Sequence, residues 1–343
     1  DKMKVIFFKF LVFFLILILF AIFYLSTFGI ETKKFNQQIK DKVVQSNRDL
    51  NIDLKKVKLT LDPLMFRVNA KTIGATIYYL NRPIELEHIK TKISLDSFFK
   101  NKIVSSNFEI TSKSILLKDF VKLIRSVKFK PELLILETII KDGYVILDLN
   151  LNLDQNGQIK NDYELKGKLN DGNIKFLKNI DFEKINFLFN IKDKKYLFKD
   201  IKFSTDNTNF NSNTFKITKL NKGHQIDGLI ENSKSILPEK LVNLLNLNLK
   251  NLDFEKTKFS SKNNFTFELD KSFKIKNLKL ASQINFNQMI YISESNYLDY
   301  FPDLKKNLFL DNHNLELNYE KNILSVNGEG KVKVGDNSDR VQY

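Results

Sequence analysis

The chain has 343 residues, 43% of them apolar, enough for one large or two ordinary domains. Its formal charge is +15, but Arg48, Arg67, Arg82, Arg125 and Arg340 are its only arginines and its lysines are scattered among Asp and Glu, which argues against nucleic-acid recognition by arginine forks. It contains no cysteine, which excludes disulfides, cysteine-ligated zinc and thiol nucleophiles.

The first element is the strongest. "VIFFKFLVFFLILILFAIFYLSTFGI", Val5 to Ile30, would span about 39 Å as a helix, enough to cross a bilayer with tilt. Val5, Phe7, Leu11, Phe14, Leu17, Leu19 and Phe23 are its membrane-facing candidates. Lys2, Lys4 and Lys9 precede or open the run, which places the N-terminus in the cytoplasm and the rest of the chain across the membrane. The run is too long for a cleaved signal peptide and lacks a clean A-x-A site. Residues 1–30 are therefore expected to be a single-pass anchor.

Residues 31–50 carry Phe35, Ile39, Val43 and Val44 at helical spacing, which predicts an amphipathic connecting helix. From 51 to 343 alternation dominates, and this stretch is expected to be one β domain. Val57, Leu59 and Leu61 mark a strand, followed by a short one around Phe66 and Val68, then one over Ile84, Leu86, Ile89, Ile93 and Leu95. Ser112 to Ser126 turns helical, with Leu116, Phe120, Leu123 and Ile124 on one side, and Pro131 closes that excursion. From Leu133 to about Lys222 the pattern predicts only strands and turns.

Within that span, "GYVILDLNLNLDQNG" alternates most cleanly, with Val145, Leu147, Leu149, Leu151 and Leu153 on one face. Leu165 and Leu169, then Ile185, Phe187 and Phe189, continue the apolar series, as do Leu197, Ile201 and Phe203 beyond the charged turn "KDKK". Phe215, Ile217, Ile226, Gly228 and Ile230 follow. Ser235 to Asn246 is a predicted helix with Pro238 in its first turn. Strands resume through Phe265, Phe267, Leu269, Phe273, Ile275, Leu278, Leu280 and Ile284, break at a weak helical stretch beginning "SESNYLDYF", and return from Leu315 to Val334. The chain stops at "GDNSDRVQY" without a terminating element, so the β domain is expected to be truncated at its C-terminus.

A long sheet with one apolar face cannot leave that face in water; it must curl over itself or over a ligand. The sequence offers little else. His88, His224 and His313 stand alone and read as surface or turn histidines, Asp299 and Asp303 read as solvated charges, and no phosphate-binding or nucleophile motif is present. Neither an enzyme nor a cofactor is expected.

The layout resembles the AsmA-like family, the TamB- and YhdP-related bacterial envelope proteins. The resemblance rests on the anchor ending "STFGIETKKFNQQI", the helix-then-strand segment "NIDLKKVKLTLD", and "IKTKISLDSFFKNKIVSSNFEITSKSILLKDFVKLI", which carries I-x-L-x-S-F-F. It implies a mainly β fold with a few helices, an elongated, twisted antiparallel sheet curled into a taco-like hydrophobic groove. It also implies an inner-membrane, periplasmic protein that holds or conducts phospholipids between envelope membranes. The candidate lipid-facing residues are then Val145, Leu147, Leu149, Leu151, Leu153, Leu165, Leu169, Ile185, Phe187, Phe189, Phe265, Phe267 and Leu269.

Two other readings stand beside it. One is an anchored scaffold with a closed β core, capped by the helices at 112–126 and 235–246, that assembles outer-membrane or envelope proteins by pairing at a sheet edge free of Lys and Pro. The other is a basic module that meets anionic head groups.

Overall fold

A computed structural model of the chain describes residues 2–46, 48–95, 107–127, 131–152, 160, 162–175, 180–244, 251–270, 272, 274–292, 307–334 and 337–342. The fold is mainly β, with one long apolar N-terminal helix and a single large antiparallel sheet that is not closed. The chain divides into two compact units, Asp1–Ile115 with Ile146–Gly167, and Leu116–Val145 with Lys168–Tyr343.

The first unit opens with α1 (Lys2–Thr27). Its segment Ile6–Thr27 is long and apolar enough to cross a membrane, and its most apolar stretch is exposed. The helix ends where the amides of Phe28 and Gly29 both reach the carbonyl of Tyr24, at 2.8 and 3.3 Å. Gly29 has φ +67°, and a Cβ there would stand 2.3 Å from the carbonyl oxygen of Leu59, so only glycine fits this left-handed stop. The chain passes directly into β1 (Ile30–Thr32), which pairs with β3 (Lys56–Asp62) through Ile30 opposite Leu59.

The connecting helix is consequently shorter than the expected 31–50. β1 takes its first residues, α2 runs Asn36–Ser46, and β2 (Leu50–Asp53) takes its last. The Asn36 side-chain amide donates to the carbonyls of Leu54 and Lys55 at 2.9 and 3.1 Å, tying α2 to the loop before β3. Next come β4 (Arg67–Ile73), β5 (Thr76–Tyr79), β6 (Arg82–Ser94), β7 (Asn107–Ser112) and the two-residue β8 (Ile115–Leu116). β9 (Ile140–Asn152) completes the ladder β1–β3–β4–β6–β7–β9, and β2–β5 branches from β6. Ile52, Val57, Ala75 and Leu86 are buried at its centre. Phe66 sits in the turn before β4 rather than in a strand.

In the second unit the helix expected over 112–126 starts later, because β7 and β8 claim residues to Leu116; α3 is Leu117–Val127 and buries Val121 rather than Leu116. Pro131 does not close the helical region but opens α4 (Pro131–Ile139), so the stretch from Leu133 begins as helix, not strand. Proline fits a helix's first turn, where its missing amide has no partner to lose. Arg125 and Glu137, 2.8 Å apart, join α3 to α4. An antiparallel meander follows: β10 (Glu164–Lys175), β11 (Asp181–Lys192), β12 (Lys195–Thr205), β13 (Thr208–Leu220), β14 (Gly223–Ile236), β15 (Lys258–Asp270), β16 (Ile275–Ile292), β17 (Asn307–Glu320), β18 (Ile323–Val334) and β19 (Asn337–Gln342). Between β14 and β15, α5 (Glu239–Leu244) is the described part of the helix expected over 235–246, whose first two residues belong to β14. Phe273 and the weak helical stretch from 293 to 306 lie outside the described residues.

The corners explain how so many strands are joined with little glycine. The two-residue turns Leu80-Asn81, Asp193-Lys194, Asp206-Asn207 and Lys321-Asn322 all have positive φ at both positions, between 45° and 64°, the signature of type I′ hairpins.

Candidate apolar binding face

Directly opposed residues in neighbouring strands share a face, so the registers sort side chains into rows. In the second unit one row runs Phe189, Phe198, Phe215, Gly228, Phe265, Leu280, Tyr319, Leu324, one residue from each of β11 to β18. The rings touch in sequence: Phe187 to Phe198 at 5.4 Å between centroids, Phe198 to Phe215 at 5.9 Å and Phe215 to Phe265 at 6.0 Å, inside the range of favourable aromatic pairs. Gly228 is the gap in the row. A Cβ there would lie 2.6 Å from Cζ of Phe265 and 2.8 Å from Cδ2 of Phe215, so the two rings meet over its backbone. A parallel row runs Ile191, Tyr196, Ile217, Ile226, Phe267.

Strict alternation does not hold this face together. In β10, β11 and β12 the apolar phase slips by one residue at "LNDG" (169–172), "FEKI" (182–185) and "FKDI" (198–201). The third residue of each, Asp171, Lys184 and Asp200, has φ of 50–52° within the strand. Each is a β-bulge, whose extra residue returns the next apolar side chain to the original face. The β11–β12 register shifts around Lys184 and Asp200. Asn186 stitches two bulges, accepting from the amide of Asp171 at 3.1 Å and donating to the carbonyl of Lys184 at 2.8 Å. Phe203 and Phe210 therefore stay on the aromatic face, stacked at 5.2 Å.

The bulge at Asp200 corrects one expectation: Leu197 pairs with Asn190 and Lys216 on the opposite face, and Phe198 takes its place in the row. Phe198 escaped a reading by alternation alone. The signal that finds it is two consecutive polar residues between apolar ones, repeated in three successive strands.

The remaining candidate residues fall into three groups. Val145, Leu169 and Ile185 are 2%, 3% and 9% exposed, already covered by protein. Phe187, Phe189, Phe265, Phe267 and Leu269 lie half-buried in the second unit. Leu147, Leu149, Leu151 and Leu165 are half-buried in the first, where Leu149 faces Ile110 and Leu151 faces Phe108 across β7. Leu153 lies outside the described residues. In α1, Phe7, Leu11, Phe14, Leu17, Leu19 and Phe23 are all exposed; Val5 lies within the helix, its side chain outside the described set.

One end of the aromatic face is capped. Leu237, Val242 of α5, Leu252 and Phe259 bury one another to 8–9% exposure, with Phe254, Ile284, Phe286 and Met289 around them. Phe259, Ile284 and Phe286 belong to the same face as the Phe265 row.

The opposite face is charged. In the second unit Lys279 meets Glu320 at 2.7 Å and Lys262 meets Glu231 at 3.4 Å. The hydrogen bond and charge of Lys279 hold the Glu320 carboxyl below its ordinary range. In the first unit Lys90 pairs with Glu109 at 2.9 Å and likewise lowers its pKa.

No family model, curated protein or solved structure matches the chain.

Two of the three histidines are not surface groups as expected. His313 is 3% exposed, its ring lying against Gly330, where a Cβ would come within 2.3 Å of it. His88 is 9% exposed on β6, with Thr111 Oγ1 3.3 Å from Nε2 and Glu109 at 3.6 Å. Burial, then the charges of Lys90 and Lys71, lower its pKa below the usual 6.5 against the pull of Glu109. Asp299 and Asp303 lie outside the described residues. Among the described residues, no three His, Asp or Glu side chains gather as a metal would require.

Proposed function

We propose that the protein is an AsmA-like envelope component, anchored by α1 in the inner membrane with its β domain in the periplasm, and that the sheet curls into a groove whose apolar face holds phospholipid acyl chains. The observation that carries this reading is the row from Phe189 to Leu324, half-buried as far as Tyr319 and exposed at Leu324, aliphatic, aromatic or glycine at every position across eight strands. Each methylene taken from water onto such a surface gains roughly 0.8 kcal/mol. A run of equivalent apolar positions lets a chain shift along the row without a large change in energy, which is what conduction between membranes needs. Lysine on the opposite, charged face keeps that side solvated.

The chain contains no tryptophan, so Phe198→Trp introduces a single indole into the row, read selectively by excitation beyond tyrosine absorption. The full-length variant, reconstituted with phospholipid brominated on its acyl chains, should show quenching of the introduced indole although position 198 lies far along the chain from α1. A folded variant whose tryptophan emission is unaffected by brominated lipid would overturn the proposal.

One observation favours the scaffold reading as an alternative. β19 pairs with β18 only from Glu329 to Val334, which leaves Ile323–Gly328 without a neighbour on that side among the described residues. That half-strand, "ILSVNG", contains no Lys or Pro, and Ile323, Leu324 and Val326 are exposed. Such an edge suits strand addition; a Val326→Pro variant that loses a partner but keeps its lipid would favour this second reading.

A further inference from the structure

The turn between β3 and β4 presents three consecutive apolar side chains to solvent: Leu64, Met65 and Phe66 are 89%, 63% and 73% exposed. It is a fixed turn. The carboxylate of Asp62 accepts from the Met65 amide at 3.2 Å, and the Phe66 carbonyl accepts from the Leu95 amide at 2.9 Å. Phe66 itself has φ +50°, a conformation held although no side chain is buried in return. Three exposed apolar residues on a constrained tip cost solubility in water and gain burial in a lipid leaflet.

The topology fixes which way the tip points. β1 follows α1 through Gly29 and runs antiparallel to β3, with Ile30 opposite Leu59. Gly29 lies against Leu59 and Thr60. Going back from Ile30 into α1 therefore corresponds to going forward along β3 from Leu59 toward the tip, and α1 packs against β3. From Thr60 to Asp62, where β3 ends, the strand advances about 7 Å, and the turn at 63–66 extends beyond it. The interfacial zone of a leaflet is roughly 5–8 Å deep. With Gly29 at the membrane surface, the tip reaches through the head groups to the edge of the hydrocarbon, while exposed Arg67 stands at its base, where a lipid phosphate would meet it.

We propose that Leu64, Met65 and Phe66 form a second membrane contact, seated in the leaflet beside α1, so that the first unit is held to the bilayer at two points and its orientation is set. This rests on α1 being the membrane anchor. The chain has no cysteine, so single-cysteine variants need no background removed. Leu64→Cys and Met65→Cys, each carrying an environment-sensitive fluorophore, are reconstituted full-length in phosphatidylethanolamine and phosphatidylglycerol vesicles containing acyl-chain nitroxide lipid. Phe13→Cys in α1 and Lys55→Cys, exposed in the loop before β3 at the opposite end of that strand from the tip, are the controls. Quenching at 64 and 65 close to that at 13, and several-fold above that at 55, is the expected result. Quenching at 13 but not at 64 or 65 overturns the second contact and leaves the anchor intact. Absence of quenching at 13 removes the anchor, and the second contact with it.

Discussion

Phe259 and Phe265 stand on the same face of the same strand, six residues apart, yet they live in different environments. Phe259 lies under α5 and Leu252 and is 8% exposed. Phe265 meets the rings of Phe215 and Phe267 and is half-buried. Nothing in the alternation of β15 distinguishes them. The difference is the segment between β14 and β15, whose described residues Leu237, Val242 and Leu252 pack over Phe259. A strand's pattern states which side is apolar; whether that side becomes core or binding surface depends on what else the chain lays over it.

The comparison can be broken by mutation. The largest effect is expected at the capped end, where Phe259→Ala should cost about 3–4 kcal/mol by removing a buried ring and leaving a cavity. Phe198→Ala, in the uncapped row, should cost about 1–2 kcal/mol because a half-buried ring loses less on truncation. Urea denaturation of the two variants side by side measures the gap, and equal losses would mean that the row is as closed as the cap. In the first unit, replacing Leu149 and Leu151 together by Asp should abolish phospholipid co-purification, read by lipid extraction and mass spectrometry, while membrane insertion persists. Unchanged lipid content in a folded double variant would count against that face as a lipid site.

Gly228→Ala sharpens the same comparison at lower amplitude. The new methyl must push the flexible ends of the Phe215 and Phe265 rings aside, an overpacking cost of about 1 kcal/mol, and it should weaken brominated-lipid quenching at position 198. The smallest effect is expected from pH. His88 has a folded pKa below 6.5, so the unfolded chain binds a proton that the fold resists. Its contribution is then fully present above 6.5 and is lost as pH falls through and below that value. His88→Gln should flatten this part of the pH–stability curve, and thermal melts from pH 7.5 to 5 would reveal it; an unchanged slope would show that His88 does not titrate differently on folding.

Much of the molecule was legible in its residues. The long apolar helix was, because hydropathy and length are local properties of one segment. The β character was, because period-two alternation recurs from Val57 to Val334. So were most members of the apolar face, since Phe187, Phe189, Phe215, Phe265 and Leu280 sit in regular stretches. Leu197 was assigned to the wrong face because the extra residue at Asp200 resets the phase, and a bulge is fixed by cross-strand hydrogen bonding that one strand's sequence does not contain. α4 was missed because "PELLILETI" is apolar on every side, a composition equally fit for a buried strand, and Pro131 at its start reads as a breaker until the helix beyond it is seen.

The sequence by itself determined one apolar helix and a series of strands with one greasy and one charged side, because hydropathy and periodicity are local properties. Tertiary structure alone decided that Phe198 joins the row, that His88 and His313 are buried, that α5 packs over the Phe259 end of the face and that Leu64, Met65 and Phe66 lie on the α1 side of β3. Each of these depends on register or coverage between segments distant in the chain, and those relations are settled by which long-range pairings satisfy the most backbone hydrogen bonds and bury the most apolar surface together.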